Sequence, residues 1–297
     1  MSNGADGGGR APRTGHAYLD AVLDQPGSVL ALAHRGGAYH PEIEGLENTV
    51  AAFRHAVGLG YTYLETDVHV TRDGVLLAFH DAVLDRVTDR RGELARLTAR
   101  EAARALIGGR EEIPTLARLV EEFPGTRFNI DLKSEGAGIA LADFVDARRA
   151  WDRVLVGSFS GRRLAEFRRR VSRPVATSAT PRDIAAFLAV PAARAAAWLA
   201  TRDFAAFQVP HRCKGVRIVG PGLVRRAHAA GKHVHVWTID EPAEMHELLD
   251  LGVDGLFTDR TDVLKDVLTT RDQWWRGPGE AGGPDDVVRR DEGGESR

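Results

Sequence analysis

The stretch VLALAHRGG, residues 29–37, places an apolar run directly before a histidine, an arginine and a Gly-Gly turn. Two later stretches repeat the arrangement of apolar run and polar end, YLETDV at 63–68 and RFNIDLK at 127–133. Because side chains two residues apart in a β-strand share a face, Glu65 and Asp67 lie on one face of their strand. If such strands run parallel in a closed barrel, their carboxyl ends meet at one mouth, where barrels of this kind keep their active sites. The pattern predicts a metal-dependent enzyme with its site at that mouth.

The rest of the chain alternates short apolar or β-branched runs with Ala- and Arg-rich helical stretches, as repeated βα units do. We predict a TIM-type (β/α)8 barrel over residues 28–268, with a small insertion near the second and third strands. Nine candidate strands compete for eight places: 29–34, 63–68, 75–80, 127–132, 154–159, 174–177, 205–209, 233–238 and 255–258. The weakest are 75–80, which can form a hairpin across Arg72-Asp73-Gly74, and the short run 174–177.

Helical stretches fill the intervals between these strands. Pro221 and Pro242 suit a first helical turn, and Gly60 and Gly231 suit the turn that follows a helix. The predicted helices cover residues 49–58, 116–123, 138–149, 162–170, 183–197, 221–230, 242–251 and 262–268.

Both ends of the chain are predicted to lie outside the barrel. Residues 1–27 are expected to form a tail and a short helix, whose apolar residues between positions 18 and 23 have helical spacing and can plug the bottom of the barrel. Residues 269–297 are expected to form a tail, because its last part mixes Gly, Pro and charge with few apolar residues. Trp274 and Trp275 are candidates for packing on the body.

Composition excludes several classes of protein. The chain has 297 residues, 43% of them apolar, and its 40 basic and 42 acidic residues give a net charge of −2. No overall field favours nucleic acid or an anionic membrane, so any recognition of phosphate is local. The single cysteine, Cys213, excludes an intramolecular disulfide and indicates a reducing compartment. We expect a cytoplasmic protein with no membrane anchor, since the first 15 residues lack a signal-peptide core and the small-apolar region 185–200 is interrupted by Pro191 and Arg194.

Three carboxylates at predicted strand ends form a candidate metal site. Glu65 and Asp67 share a strand face, and Asp131 ends another strand. Oxygen ligands of this kind suit one divalent hard cation, Mg²⁺ or Ca²⁺. Zinc is disfavoured because no His/Cys cluster has the spacing for it. The alternative is that Glu65 and Asp67 are solvated strand-end charges.

Cationic and titratable groups adjoin these carboxylates. Lys133 lies two residues beyond Asp131 and is a candidate for neutralising phosphate charge, or else for a structural salt bridge. His34 and His80 end apolar runs and suit a general acid and a general base, because imidazole titrates near neutral pH. Arg35 is a candidate for binding phosphate or for fixing a carboxylate of the rim.

Nine short motifs, in their order, resemble those of the glycerophosphodiester phosphodiesterases. Each motif alone is a weak signal, but their shared order and spacing over residues 29–268 are a strong one. They are His34-Arg35-Gly36, Glu47-Asn48-Thr49, Glu65-Thr66-Asp67-Val68, Thr71-Arg72-Asp73-Gly74, His80-Asp81, Asp131-Leu132-Lys133, Ser158-Phe159, Val236-Trp237-Thr238 and Gly255-Leu256-Phe257-Thr258-Asp259.

The resemblance implies a TIM-type barrel that hydrolyses glycerophosphodiesters to glycerol 3-phosphate and an alcohol with one divalent cation. It makes His34 and His80 the acid/base pair, and Glu65 and Asp67 two of the metal carboxylates. Phe159 and Trp237 resemble the family's aromatics at the mouth, which cover the glycerol moiety, although core packing also explains them.

The chain departs from the family pattern in two places. Asp131 stands where the family usually has a glutamate, and Leu46 stands where it generally has proline, after an enlarged acidic loop at 40–45. Glu47 is a candidate metal ligand or a group that orients Arg35, and Asn48 is predicted to cap the following helix.

Two alternatives remain open from the sequence. A related barrel can act on phospholipids, as a sphingomyelinase D or a phosphatidylinositol phospholipase C does, but the apolar docking surface that such substrates need is not evident here. A barrel of this kind can also bind a phosphorylated ligand without catalysis. We expect a small-molecule substrate and no nucleic-acid partner; oligomeric state is not predicted.

Overall fold

The computed structural model describes residues 11–190 and 202–277. Within this part of the chain, eight parallel strands pair in chain order and confirm the TIM-type barrel. A parallel bridge between Ser178 and Ala206 joins the fifth strand to the sixth and closes the ring. The strands are β1 (Leu30–Ala33), β2 (Tyr63–Val70), β3 (Arg127–Leu132), β4 (Val154–Gly157), β5 (Ala176–Thr177), β6 (Ala206–Pro210), β7 (His233–Trp237) and β8 (Gly255–Thr258).

A helix follows each strand and packs its apolar face on the outside of the barrel. Most begin at a side-chain cap or a proline of the first turn, as at Thr49, Thr180 and Pro242. The second half of the predicted helix 183–197 lies outside the described residues. The helices are α1 (Val50–Gly58), α2 (Leu116–Glu122), α3 (Ala137–Arg148), α4 (Gly161–Arg170), α5 (Pro181–Ala189), α6 (Pro221–His228), α7 (Pro242–Asp250) and α8 (Thr261–Thr270).

The N-terminal segment closes the bottom of the barrel, as predicted. A helical turn at Ala17–Asp20 continues into a 3-10 turn at Ala21–Asp24. Tyr18 and Leu19 are buried in one cluster with Leu30 and Tyr63, whose side chains point inward from β1 and β2. The hydroxyl of Tyr63 donates a hydrogen bond of 2.7 Å to the carbonyl oxygen of Tyr18. The amino-terminal ends of the strands are therefore packed shut, and the opposite end is left for the site.

The ninth candidate strand is not a barrel strand. Residues Leu76–Ala78 pair antiparallel with β2, so the hairpin across Arg72-Asp73-Gly74 is confirmed, and His80 follows this hairpin strand and not a parallel strand of the barrel. The reason is that β2 runs on to Val70, beyond its last pairing with β3 at Val68, and a turn containing Gly74 at φ +84° reverses the chain. The returning strand leads back towards the mouth, where the amide of Phe79 donates to the carbonyl oxygen of Asp67 at 3.0 Å.

An insertion of residues 71–115 follows β2 and precedes α2. It holds the returning strand, a short helix at Ala99–Ala102 and a hairpin of Leu106–Ile107 with Glu111–Glu112. Most of its buried apolar side chains form a small core of their own, whereas Leu76 and Ala78 pack in a main cluster of the barrel. The insertion is thus a separate packing unit fixed to the rim.

The C-terminal part of the barrel extends slightly beyond the predicted boundary at 268. Helix α8 ends at Thr270, Trp274 forms a parallel bridge with Val29, and Trp275 is buried beside Tyr63. The two tryptophans thus pack on the body, while residues 278–297 lie outside the described part. No helix in the described ranges combines the length and apolar character needed to cross a bilayer.

Candidate active site

A cavity of about 540 Å³ opens at the carboxyl ends of the strands. Its lining includes nine of the ten side chains predicted for the site, and Glu47 is the one left out. The lining residues that were predicted are His34, Arg35, Glu65, Asp67, His80, Asp131, Lys133, Phe159 and Trp237.

His34 follows β1 directly and is held by a carboxylate from the neighbouring β8 end. Its Nδ1 lies 2.9 Å from Oδ1 of Asp259, and its Nε2 lies 3.9 Å from Oε2 of Glu65. Burial acts to lower the pKa of His34, but the negative charges of Glu65 and Asp259 outweigh it and raise that pKa. Asp259 ends the last of the nine sequence motifs, and the pairing of β1 with β8 brings it beside His34.

Arg35 fixes the carboxylates of the rim. Its backbone amide donates to Oε2 of Glu65 at 3.0 Å, and its side chain lies 3.2 Å from Glu47 and 3.3 Å from Asp67. The backbone of Arg35 is left-handed at φ +50°, a conformation that proteins retain mainly where the surroundings demand it. A Cβ on the next residue, Gly36, would lie only 2.7 Å from Cβ of Ala52, so the loop packs tightly against α1.

Glu65 and Asp67 point into the mouth from β2 and are almost fully buried. Burial, reinforced by the charge of Asp67, raises the pKa of Glu65 to about 7. Burial acts to raise the pKa of Asp67 as well, but Lys133 and Arg35 outweigh it and lower that pKa. Both acids are therefore desolvated, and Asp67 is paired with Lys133 and Arg35, so the alternative of solvated strand-end charges is wrong.

Asn48 belongs to this network and does not cap α1. Its side chain donates to Oδ2 of Asp67 at 3.1 Å and accepts from the hydroxyl of Thr66 at 2.7 Å. The cap is Thr49, whose hydroxyl accepts from the amide of Ala52 at 3.2 Å. The prediction of Asn48 as the cap is wrong because its left-handed backbone, φ +61°, turns its side chain towards β2 instead.

Lys133 joins the carboxylates of β2 and β3. Its Nζ lies 3.0 Å from Oδ1 of Asp67 and 2.7 Å from Oδ2 of Asp131, and these two charges raise its pKa despite burial, which acts to lower it. The register explains the pairing, because Asp67 lies opposite Asp131 in the parallel ladder. Both predicted roles of Lys133 are thus compatible with its position, since the salt bridge is present and the side chain lines the cavity.

The donor chemistry of the site fits a divalent cation. Oδ1 of Asp131 is buried and has no hydrogen-bond partner in the structure, and an unpaired buried carboxylate oxygen is costly unless a cation satisfies it. Glu65, Asp67 and Asp131 offer only oxygen ligands, which suit a hard cation. As the side chains stand, the described residues contain no group of three or more His, Cys, Asp or Glu residues placed to hold a metal.

His80 is held by a carboxylate and an arginine that the sequence analysis did not assign. Its Nδ1 lies 2.6 Å from Oδ1 of Asp81, and Oδ2 of Asp81 accepts from Nε of Arg86 at 2.6 Å. Burial acts to raise the pKa of Asp81, but hydrogen bonds from Arg86 and His80 lower it to about 2. The carbonyl oxygen of His80 also accepts from Nε2 of His69 at 3.0 Å. Both imidazoles of the site thus have Nδ1 beside a carboxylate.

Glu47 is bound by two guanidinium groups. Its oxygens accept from Arg86 at 2.6 Å and 2.8 Å, and one of them accepts from Arg35 at 3.2 Å. These hydrogen bonds lower the pKa of Glu47 against the effect of burial, which acts to raise it. Of the two predicted roles, the geometry matches the orientation of Arg35, because Glu47 is bound by both arginines and does not line the cavity that Glu65, Asp67 and Asp131 line. The sequence could not predict the contact between Glu47 and Arg86, because the two residues are 39 positions apart in the chain.

Phe159 and Trp237 form an aromatic pair on the other side of the mouth. Their ring centroids are 5.9 Å apart in an edge-to-face arrangement, and Nζ of Lys133 lies 5.7 Å from the centroid of Phe159. Phe159 is 65% exposed, so core packing does not explain it. Trp237 is half-buried and also packs against the inner cluster of the barrel.

Polar side chains form the floor of the cavity, and the sequence analysis gave them no role in the site. Nε2 of Gln208 donates to Oδ1 of Asn129 at 2.6 Å and lies 3.4 Å from Nδ1 of His235, which is fully buried. The signal for Gln208 was present, because it is a polar residue at an inward position of an apolar strand. His233 and His235 are both fully buried.

Comparison with known proteins agrees with this geometry. A model of the glycerophosphoryl diester phosphodiesterase family matches residues 34–263. The chain is 41% identical over 250 residues to a probable glycerophosphodiester phosphodiesterase 2 of Mycobacterium tuberculosis, covering 84% of this chain and 94% of the relative. A putative glycerophosphoryl diester phosphodiesterase from Silicibacter pomeroyi has a similar structure, with a TM-score of 0.70 and 22% identity over 88% of this chain and 99% of that one.

A second solved structure is that of an Oleispira antarctica phosphodiesterase in complex with the product sn-glycerol-3-phosphate. Its TM-score is 0.66, with 23% identity over 81% of this chain and 96% of that chain. At these identities the two structures support the fold alone. The family match covers most of the chain and the relative from Mycobacterium tuberculosis is matched over nearly its whole length. The chain therefore belongs to the glycerophosphoryl diester phosphodiesterase family.

Proposed function

We propose that this protein hydrolyses glycerophosphodiesters to glycerol 3-phosphate and an alcohol. The observation that carries the proposal is that two imidazoles, each with Nδ1 beside a carboxylate, face one cavity together with Arg35 and Lys133. Membership of the family supports it, as does the product found in the Oleispira antarctica structure.

The two histidines carry the proton transfers. With Nδ1 directed to Asp259 or to Asp81, His34 and His80 present Nε2 to the substrate. One imidazole takes the proton of the nucleophile, and the other gives a proton to the oxygen of the departing alcohol. The nucleophile is either water or the neighbouring hydroxyl of the glycerol, and the second route passes through a cyclic phosphate that direct detection would reveal.

The cations bind the phosphate, and the aromatics cover the glycerol. Lys133 and Arg35 are placed to hold the non-bridging oxygens, where negative charge accumulates during in-line displacement. Phe159 and Trp237 present rings beside Lys133 and exclude water from the carbon side of the substrate.

One divalent cation, Mg²⁺ or Ca²⁺, completes the proposed site. Glu65, Asp67 and Asp131 would hold it, and when bound it supplies positive charge that polarises a phosphate oxygen. The unpaired oxygen of Asp131 and the exclusively oxygen donor set support this assignment. Glu47 is not included among the proposed ligands, because it does not line the cavity and is bound by Arg86 and Arg35.

Two further proposals concern organisation and location. Residues 28–268 form the catalytic unit, and residues 17–24 seal its base. Cys213 is exposed, and an exposed free thiol suits the reducing cytoplasm.

Hydrolysis of glycerophosphocholine by the purified protein tests the proposal. We expect alcohol release that a chelator abolishes and that Mg²⁺ or Ca²⁺ restores. His34→Ala and His80→Ala should each lower turnover by at least about a hundredfold, in line with the usual value of general acid-base catalysis. Wild-type rates in both variants would refute the assignment, and binding of glycerophosphocholine without any turnover would favour the non-catalytic alternative.

A further inference from the structure

The floor of the cavity contains a recess beside β4 that the proposed proton transfers and metal site do not use. Gly157 ends β4 and lies opposite Asp131 in the parallel register, at the layer of the barrel where the cation is proposed to bind. Its φ is not positive, so the backbone conformation does not require glycine there. A Cβ on Gly157 would lie 3.0 Å from Oγ of Ser178 and 3.3 Å from Oε1 of Gln208, so any side chain would crowd these two oxygens. We define the recess by Asn129, Gly157, Ser178 and Gln208, all of which line the cavity.

Each polar side chain of the recess has a hydrogen-bonding atom that the described part of the protein does not use. Nε2 of Gln208 donates to Oδ1 of Asn129 at 2.6 Å, which leaves Oε1 of Gln208 as an acceptor and Nδ2 of Asn129 as a donor. The hydroxyl of Ser178 also has no partner among the described residues, although this residue is buried. Because polar groups in buried positions are normally hydrogen-bonded, these atoms indicate a polar ligand.

The chemistry of the recess selects an uncharged hydroxyl group. An ammonium group would find no carboxylate among the residues of the recess, and its hydrogens would face the amide donor of Asn129. An anionic group would face the acceptor Oε1 of Gln208. A hydroxyl can donate to that Oε1 while it accepts from Nδ2 of Asn129 or from the hydroxyl of Ser178. It therefore matches the donors and the acceptor together.

The recess lies within reach of a glycerol whose phosphate is bound at the proposed metal site. Asn129 precedes Asp131 by two residues on the same strand face, so the recess extends about 7 Å below Asp131 at about 3.3 Å per residue. Phe159 follows Gly157 by two residues, which places the proposed aromatic cover of the glycerol next to the recess. A glycerol with its phosphate beside Asp131 and its carbons against the aromatic rings therefore directs its far hydroxyl, on C1, into the recess.

We propose that the recess binds the C1 hydroxyl of the substrate glycerol and that Gln208 is the residue that determines this specificity. The inference rests on the proposed phosphodiesterase activity and adds no chemical step to it. Oε1 of Gln208 accepts a hydrogen bond from the C1 hydroxyl, and Asn129 and Ser178 donate to the oxygen of that hydroxyl. An ether or ester at C1 removes the hydrogen that Gln208 needs, so the recess selects substrates with a free C1 hydroxyl.

Three phosphocholine substrates test the inference, with release of choline as the common readout. They are glycerophosphocholine, its 1-deoxy analogue and its 1-O-methyl ether. Each keeps the hydroxyl on C2, so attack by water and attack by the neighbouring hydroxyl both stay open. We expect kcat/KM to be lower by about tenfold to a hundredfold for the 1-deoxy analogue, and by at least as much for the ether, because the missing hydroxyl leaves polar groups of the recess unpaired.

Two variants and a matched control locate the effect. Gln208→Met removes the amide at similar side-chain length and should lower kcat/KM for glycerophosphocholine by about tenfold, with little change for the 1-deoxy analogue. Gly157→Ala places a methyl group beside Ser178 and Gln208 and should have the same selective effect. Gln25→Met, at the base of the barrel where Gln25 donates to the carbonyl oxygen of Trp274, should keep the wild-type ratio of the two substrates. Circular dichroism and thermal melting of each variant check that the fold is retained.

Calorimetric titration gives a readout that does not need turnover. The ligands are sn-glycerol 3-phosphate and its 1-deoxy analogue, each in the presence of Mg²⁺ or Ca²⁺. We expect the wild type to bind sn-glycerol 3-phosphate at least about tenfold more tightly than the analogue, and Gln208→Met to remove that difference.

The outcomes separate the inference from the proposed function. Similar kcat/KM for all three substrates overturns the inference and leaves the proposed function standing. Loss of selectivity in Gln25→Met as well as in Gln208→Met assigns the effect to general loosening of the barrel, which also overturns the inference. Absence of turnover on every substrate defeats the proposed function, and calorimetry then decides on the recess alone, where equal binding of the two phosphates overturns the inference.

Discussion

Lowering the pH should destabilise this protein through one buried histidine on the floor of the cavity. Burial, with a smaller effect from His233, lowers the pKa of His235 to about 3, and Asp254 opposes the shift only weakly. In the unfolded chain a histidine has a pKa of about 6.5. The folded state therefore keeps His235 neutral in a pH range where the unfolded state takes up a proton. The stability that depends on this group is fully present above about pH 6.5 and is lost as the pH falls towards 3.

The size of the loss follows from the two pKa values. Each pH unit below about 6.5 removes about 1.4 kcal/mol from the free energy of unfolding, until the pKa of the folded state is reached. Between pH 7 and about pH 4.5 the loss from His235 alone is therefore about 2.5 kcal/mol. This is a large part of an ordinary stability of about 5–15 kcal/mol. Substitution of His235 by Gln removes the titrating group and should remove this loss.

Urea unfolding followed by circular dichroism measures the effect. The free energy of unfolding is determined at both pH values for the wild type and for His235→Gln, because the carboxylates of the chain add an acid dependence of their own that both proteins share. We expect the difference between the two proteins to change by about 2–3 kcal/mol in favour of the variant on going to the lower pH. Parallel pH dependences of the two proteins would show that His235 is not held neutral by its burial.

Three further substitutions test other parts of the structure. Arg86→Gln frees Asp81 and Glu47 and should lower kcat about tenfold or more with little change of KM, and Arg86→Lys should not restore it because lysine lacks the bidentate fork. Asp131→Glu extends the carboxylate of a proposed ligand by one methylene and should tighten binding of Mg²⁺ or Ca²⁺ by about tenfold in calorimetric titration, because the reach and flexibility of the oxygen ligands set the affinity of such a site. Leu19→Ala, in the fully buried basal plug, should cost about 2–5 kcal/mol in urea unfolding while kcat stays unchanged in the folded protein.

Strand periodicity was sufficient to predict which side chains of β2 and β3 enter the site. Alternation fixes the face on which Glu65, Asp67 and Asp131 lie, and the order of the βα units fixes which strands are neighbours. Both properties are local or topological, so one sequence contains them. Helical spacing, in turn, identified the apolar residues of the basal plug.

Periodicity could not show the direction of the strand before His80. An apolar run of three to six residues reads alike whether it pairs parallel or antiparallel, and here the turn at Gly74 decides. His80 nevertheless lies at the barrel mouth, because β2 extends beyond the barrel and the chain returns antiparallel along it.

Long-range ion pairs could not be predicted from the sequence either. Glu47 is an acid beside a predicted metal site, and nothing near it in the chain indicates that Arg86 will bind both of its oxygens. Asp259 meets His34 only because the last strand closes on the first. Contacts of this kind depend on tertiary packing, which residue type and spacing do not determine.

The two histidines are therefore positioned by different parts of the fold, so a movement of either part can abolish turnover. His34 is fixed by the barrel itself, through Asp259 at the junction of β1 and β8. His80 belongs to the inserted unit, which has its own small core and is joined to the rim by the ladder with β2 and by the Arg86 bridge to Glu47. Because proton transfer needs both imidazoles on one phosphate, loosening of the insertion displaces His80 even while the barrel stays folded. Turnover is thus the more sensitive measure of how well the insertion is docked, and unfolding of the whole chain is the less sensitive one.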